Sequence, residues 1–298
     1  MAGMSNYLEE NFLNWMYRRS TWTLADPYLR LYSTTPTDLE ANPPTGGTEM
    51  VGTGYTQYGQ LAARGATNWE VVSETNGYTA QNKLTAAFSW ANNSDWPIIN
   101  GAGLFDGALV GSNFLWGGAL TTPRDPASGD TARFAAGAIK LRLDVTTAAG
   151  LNNTAKQALL NHLVIADQSA AATRTPATVY VAVYTSATAL NQYTGASGTE
   201  VSTSGTNYAR LAITSSTAWH AAASVGTGYH IHNNVMNGFS AAGTAWGLCR
   251  YVALVDTASG AIGNYYAIKQ LTGDIQIDAG DTFSIAADAW SISLDESN

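Results

Sequence analysis

The segment Tyr229-His230-Ile231-His232 is the sharpest arrangement of reactive side chains in this sequence. On an extended strand, residues two apart point to one face about 7 Å from each other. That is a spacing at which two imidazoles can share a metal ion. The matching stretch of the first half, near Tyr78-Thr79-Ala80-Gln81, has no histidine, and no third ligand of similar strength lies close in sequence. His230 and His232 are therefore expected to be ordinary strand residues. Carboxylates recur in pairs: Glu49 with Glu200, Asp106 with Asp256, Asp130 with Asp281. A glycosidase needs two carboxylates facing each other across a cleft, but an active site rarely needs duplication, so repetition favours a role in the fold. Asp130 and Asp281 each follow Gly and precede Thr, which suits turn-capping. No Gly-x-Ser-x-Gly stands on a strand-to-helix turn, and the acids lack the spacing of a calcium loop. The single cysteine, Cys249, excludes intrachain disulfides and a Cys-rich zinc site. It reads as a small buried side chain and fits folding in a reducing cytoplasm. The expectation is a protein that is not an enzyme, with no cofactor and no metal.

The elements that would hold these residues are written twice. Residues 128–144 and 279–295 share Gly129/Gly280, Asp130/Asp281, Thr131/Thr282, Leu143/Leu294 and Asp144/Asp295 at an offset of 151. Leu29–Ser33 matches Val181–Thr185, Gly47–Met50 matches Gly198–Val201, and Gly103–Asp106 matches Ala253–Asp256. Asn113–Leu115 matches Asn264–Tyr266, and Phe12-Leu13-Asn14 matches Leu159-Leu160-Asn161. The order is kept throughout. Two copies are too few for a solenoid, so two similar domains are expected, residues 1–147 and 148–298, joined near 146–150.

Each half is of ordinary single-domain size. The chain is 45% apolar but only 12% charged, about half the usual charged fraction. Gly, Ala, Ser, Thr and Asn fill the difference, as in all-β proteins with polar, uncharged loops. Net charge is −8, and no basic cluster exists beyond Arg18-Arg19, which argues against nucleic acid as a partner. No run of eighteen apolar residues suggests membrane insertion, and the first residues lack the pattern of a secretory signal.

Each half opens with a helix and continues in strands. Ser5 or Asn6 can cap a helix in which Tyr7, Leu8, Asn11, Phe12, Trp15 and Met16 recur at three- and four-residue spacing. Asn152-Asn153-Thr154 can cap the second, with Ala155, Ala158, Leu159, His162 and Leu163 on one face. Period-two segments follow, led by Tyr28–Tyr32 and Thr178–Tyr184. Others include Gln57–Leu61, Trp69–Val72, Lys83–Phe88 and Ala102–Phe105, with Trp219–Ala222, Asn234–Phe239 and Thr282–Ile285 in the second half. Turn-rich connectors separate them. The fold class expected is mainly β: two tandem antiparallel β-sandwiches of jelly-roll or Ig-like kind, each preceded by a short α-helix.

Nine tryptophans invite a sugar-stacking reading. Trp69 and Trp219 are equivalent at an offset of 150, which favours a core role. Trp22, Trp90 and Trp96 lie beside loops and are candidates for a contact surface. With the apolar helix positions Tyr7, Phe12 and Trp15 they form the set of candidate partner-contact residues.

Several segments taken together resemble a family of small tailed-bacteriophage virion proteins, usually labelled tail-fibre or minor structural proteins. They are Ser5-Asn6-Tyr7-Leu8-Glu9, Tyr28–Asp38, Gly46–Glu49, Gly103–Asp106, Leu115–Pro123, Gly129–Gly137 and Leu141–Asp144. In the second half Tyr180–Thr185, Gly198–Val201 and Tyr208-Ala209-Arg210 carry the same pattern. The usual member looks like one such unit; this chain is doubled. The resemblance implies a virion component, assembled in the host cytoplasm, whose partners are phage capsid or tail proteins. It brings no catalytic residues. No long repetitive shaft precedes the domains, so a capsid decoration or cement role is the leading expectation. The alternative is a tail fibre or adsorption protein that binds a host-surface glycan or receptor. A homo-oligomer is expected, and a trimer of two-lobed chains would match a quasi-sixfold surface.

Overall fold

The computed structural model describes residues 2–39, 41–55, 59–74, 77–83, 89–91, 96–143, 153–165, 175–186, 191, 198–225 and 228–294. The expected junction near 146–150 and the distal part of the strand expected at Lys83–Phe88 lie outside them.

The chain opens with β1 (Ala2–Met4) and α1 (Asn6–Arg18). Ser5 caps α1: its Oγ accepts from the Leu8 N–H at 3.2 Å, satisfying a donor that the first helical turn leaves open. Glu9 in the first turn and Arg18 in the last suit the helix dipole. The helix stops at Arg19, whose φ of 58° is left-handed. Repeat 1 continues through β2 (Tyr28–Thr34), β3 (Thr48–Glu49), β4 (Gln60–Leu61), β5 (Trp69–Glu74) and β6 (Gly77–Asn82). It ends with β7 (Ser89–Ala91), β8 (Ile99–Phe105), β9 (Phe114–Arg124), β10 (Thr131–Arg133) and β11 (Lys140–Leu143). Repeat 2 begins with α2 (Asn153–Leu160), which widens into a π turn over Asn161–Ile165. There follow β12 (Thr178–Tyr184), β13 (Leu211–Thr214), the single turn α3 (Ser215–Ala218), β14 (Ala223–Val225), β15 (Gly228–His232), β16 (Gly247–Val255), β17 (Tyr265–Ile277) and β18 (Ser291–Leu294).

The protein is mainly β, and the pairing is antiparallel throughout, as the period-two segments imply. Each repeat has a larger sheet and a three-stranded one. The larger sheets share the order β9-β8-β2 and β17-β16-β12, with β4 and β13 on the far side of β2 and β12. The smaller sheets are β11-β6-β5 and β18-β15-β14. Register is kept between the copies: Tyr78 faces Leu143, and Tyr229 faces Leu294. β1 adds one strand to the first larger sheet by pairing with β9.

Three expected strands of repeat 2 turn out differently. Asn234–Phe239 and Thr282–Ile285 meet only at the bridge Met236–Ile285, and the segment expected at Trp219–Ala222 makes one bridge, Trp219–Asn233. For the first two, the buried Asn233 side chain supplies the reason. Its amide donates to the Ala286 carbonyl at 2.8 Å and accepts from the Trp290 N–H at 2.6 Å, standing in for ladder bonds.

The two helices cross between the repeats. α1 packs on β14, β15 and α3 of repeat 2 as well as on β9 of its own repeat, and α2 packs on β6 of repeat 1 as well as on β17. Tyr17 Oη donates to the Tyr266 carbonyl at 3.0 Å, Asn14 Oδ1 accepts from the Ala222 N–H at 3.0 Å, and Arg64 donates to the His162 carbonyl at 3.0 Å. Thr175 Oγ1 donates to the Met16 carbonyl. One contiguous apolar core therefore contains residues from Met4 to Leu294. The expected division at 147/148 separates sequence copies whose interior is shared, because the helix leading each copy is used by both.

Candidate functional site

The recurring carboxylates are occupied by the fold. Tyr55 and Tyr208 hold equivalent places: each phenol oxygen accepts from the central strand, the Leu31 N–H at 3.0 Å and the Val183 N–H at 2.9 Å. Each then donates to a carboxylate, Glu49 at 3.0 Å and Glu200 at 2.8 Å. Burial, with the carboxylate beside it, pushes both phenols far above the ordinary tyrosine range. An arginine completes each cluster from a different position. Arg210 grips Glu200 with two bonds of 2.9 and 2.8 Å. Arg30, on β2, stands 3.8 Å from Glu49 and lies over the Phe105 ring at 3.8 Å.

Both arginines also pin the hairpin that joins the last two strands of the larger sheet. Arg30 donates to the Gly107 and Leu109 carbonyls, each at 3.1 Å. Arg210 donates to the Thr257 and Gly260 carbonyls at 3.0 and 2.9 Å. Asp106 and Asp256 close the same hairpins by accepting from Asn113 and from Gly263 and Asn264. Asp130 and Asp281 accept from the Ala127 and Asp278 N–H groups, both at 3.0 Å, as turn-capping requires. The hairpins differ in what they present. Leu109 and Val110 are 72% and 73% exposed, whereas repeat 2 carries Ser259-Gly260 near the same place. Val51, close in sequence to Glu49, is 73% exposed. Arg30 ties the Leu109 carbonyl of this hairpin to the cluster that holds Glu49.

The candidate contact residues fall on α1, on β7 and in the segments after α1 and before β8. Within the chain Phe12, Trp15, Trp22 and Trp96 are buried, at 0, 3, 7 and 4% exposure. Trp15 and Trp22 close on His162 of repeat 2, with ring centroids 4.4 and 4.9 Å away. Trp96 is the counterpart of Trp246: their indole N–H groups donate to the Thr53 and Thr206 carbonyls, both at 3.0 Å. Both pack edge-on to the cluster tyrosine, at 5.8 and 5.2 Å. The signal for this was the 150-residue offset of the two tryptophans. Tyr7 is half-buried, and its phenol is pushed up by burial and by Asp106. Trp90 sits in β7, paired in register with Ala132.

His230 and His232 share a face with stacked rings 5.9 Å apart. Among the described residues no group of three or more His, Cys, Asp or Glu is placed to hold a metal ion. Cys249 is fully buried, and burial pushes its thiol up to about 11. An open cleft of about 850 Å³ runs beside β9 and β10, lined by Leu31, Ile99, Arg124, Asp125, Ala132 and Phe134 among others. Repeat 2 has Phe283 where repeat 1 has Ala132, and that ring packs on Phe239 and Trp246 at 5.4 and 6.5 Å.

Among the described residues the matched carboxylates Glu49/Glu200, Asp106/Asp256 and Asp130/Asp281 serve sheet edges, hairpins and turns of the fold. The sequence model of the family described as podophage GP4 fiber I protein gp80 matches residues 3–142 and again residues 150–293. The chain belongs to this phage fibre family, carries its unit twice, and is thereby a structural component of a virion. No curated protein matches it. No helix among the described residues is long and apolar enough to cross a membrane.

Proposed function

We propose that this chain is a non-enzymatic building block of the tail-fibre apparatus of a short-tailed phage, and that it acts by presenting rigid loops to neighbouring virion proteins or to the host surface. The observation that carries the reading is the family match over both repeats. It favours the fibre role over the capsid decoration that was the leading expectation from the sequence. The geometry adds support: the repeated carboxylates are spent on hydrogen bonds within the fold rather than facing one another across a cleft. In repeat 1 the surface offered to a neighbour is the pinned hairpin tip, with Leu109 and Val110 exposed on it. Exposed apolar side chains on a fixed backbone lose little entropy on docking.

Deletion of the gene from the phage tests the role. Loss of a fibre component gives full, stable heads that adsorb poorly to host cells. Particles that adsorb normally but release their DNA on mild heating would overturn the reading, because that is how loss of a cement protein shows.

A further inference from the structure

We infer that the boundary between the repeats is a protein–protein interface in its own right: each repeat's three-stranded sheet is a docking face for one amphipathic helix, its occupant is the other repeat's helix, and the two repeats stay together one-to-one when the covalent link between them is cut. The chain is then a fused dimer with near-twofold symmetry rather than two beads on a string.

Four observations carry this. The exchange is reciprocal, since α1 lies on β14 and β15 while α2 lies on β6, and β6 and β15 are the same strand in the two copies. Trp15 and His162 hold the same place in their helices, one residue after the matched Phe-Leu-Asn and Leu-Leu-Asn triplets. Their rings stack at 4.4 Å, and a position can touch its own equivalent only beside the symmetry axis. The helix is also committed on several sides: Leu8, Phe12, Leu13, Met16 and Tyr17 are all fully buried. Without repeat 2, Tyr17 would lose both the Tyr266 carbonyl and its ring contact with Trp219 at 5.5 Å. Finally, the copies are matched rather than identical. Glu9 and Lys156 occupy equivalent helix positions and are 1% and 0% exposed. The two helices therefore bury opposite charges in their seats, and exchanging them would put an ammonium where a carboxylate sits and the reverse, so the seats are not interchangeable.

The experiment uses the whole chain with a Gly/Ser insert carrying a protease site between residues 146 and 149, cut after purification. The cut protein is expected to elute from a sizing column at the position of the uncut one at micromolar concentration, with the amides of residues 6–18 still protected from hydrogen exchange. In the cut protein Tyr17→Ala should weaken the association by about tenfold or more, as loss of a buried aromatic anchor does. Where the uncut Tyr17→Ala chain is not folded by circular dichroism, Tyr17→Phe, which removes only the bond to Tyr266, is read in its place and should also weaken it. Separation of the cut protein into two half-sized species, or a helix variant that associates as tightly as the parent, overturns the inference.

Discussion

Glu200→Ala should cost the protein clearly more than Glu49→Ala, although the two residues are copies of one position. Removing Glu200 strips Arg210, whose side chain is 6% exposed, of two charge-assisted bonds and leaves the Tyr208 hydroxyl without its acceptor. Breaking a buried pair by deleting one partner costs about 3–5 kcal/mol. Glu200 itself is 22% exposed, so water recovers part of that, and about 3 kcal/mol is the working figure. Arg30 stands farther from Glu49, at 3.8 Å, and keeps the Gly107 and Leu109 carbonyls and the Phe105 ring when Glu49 is gone. What is lost is chiefly the acceptor of the Tyr55 hydroxyl, worth about 1 kcal/mol. At about 2 °C per kcal/mol for a chain of this size, the melting temperature should fall by about 6 °C for Glu200→Ala and about 2 °C for Glu49→Ala. Thermal melts followed by circular dichroism, checked by urea titration at constant slope, make the comparison. Equal shifts, or a larger one for Glu49, would refute the reasoning and mean that the Thr257 and Gly260 carbonyls hold Arg210 without the carboxylate.

Three further outcomes follow from the same geometry. Burial holds the Tyr17, Tyr55, Tyr184 and Tyr208 phenols above their ordinary value of 10.0 and the Cys249 thiol at about 11 against 9.0. These folded-state values lie above the unfolded ones, so the stabilisation is complete below about pH 9 and is lost as pH rises beyond it, with about 3 kcal/mol from Cys249 alone. A urea midpoint that holds or rises between pH 9 and 11 would contradict this. Asp130→Ala and Asp281→Ala should each cost about 1 kcal/mol and by similar amounts, since each removes one 3.0 Å turn bond; unequal urea midpoints would show that one of them does more than cap a turn. Trp96→Phe and Trp246→Phe should likewise match, each losing one indole bond at 3.0 Å and lowering stability by about 1 kcal/mol.

Much of the fold was legible because local rules and tertiary structure agree where the signals are strong. Ser5, the spacing of Leu8, Phe12 and Met16, and Arg18 define α1 at both ends. Gly129-Asp130-Thr131 and Gly280-Asp281-Thr282 reappear as one turn with one bond. The pairing of Glu49 with Glu200 pointed to a role in the fold, and both are bound in tyrosine–arginine clusters. Composition could not reveal which side chains face out. Trp22 and Trp96 lie beside loops in sequence, yet the loops fold over them, and a 7% or 4% exposed indole is core. Nor could periodicity show which sheet an apolar helix face meets: the pattern of α1 is the same whether it covers its own repeat or the other. The strand expected at Asn234–Phe239 failed because the Asn233 side chain took over the backbone partners.

The central claim is that this duplicated chain is part of a fibre. The most direct test is a small tag after Asn298, labelled and imaged on intact particles. The account predicts label confined to the tail and its appendages. Label spread over the head would contradict it and restore the decorating role.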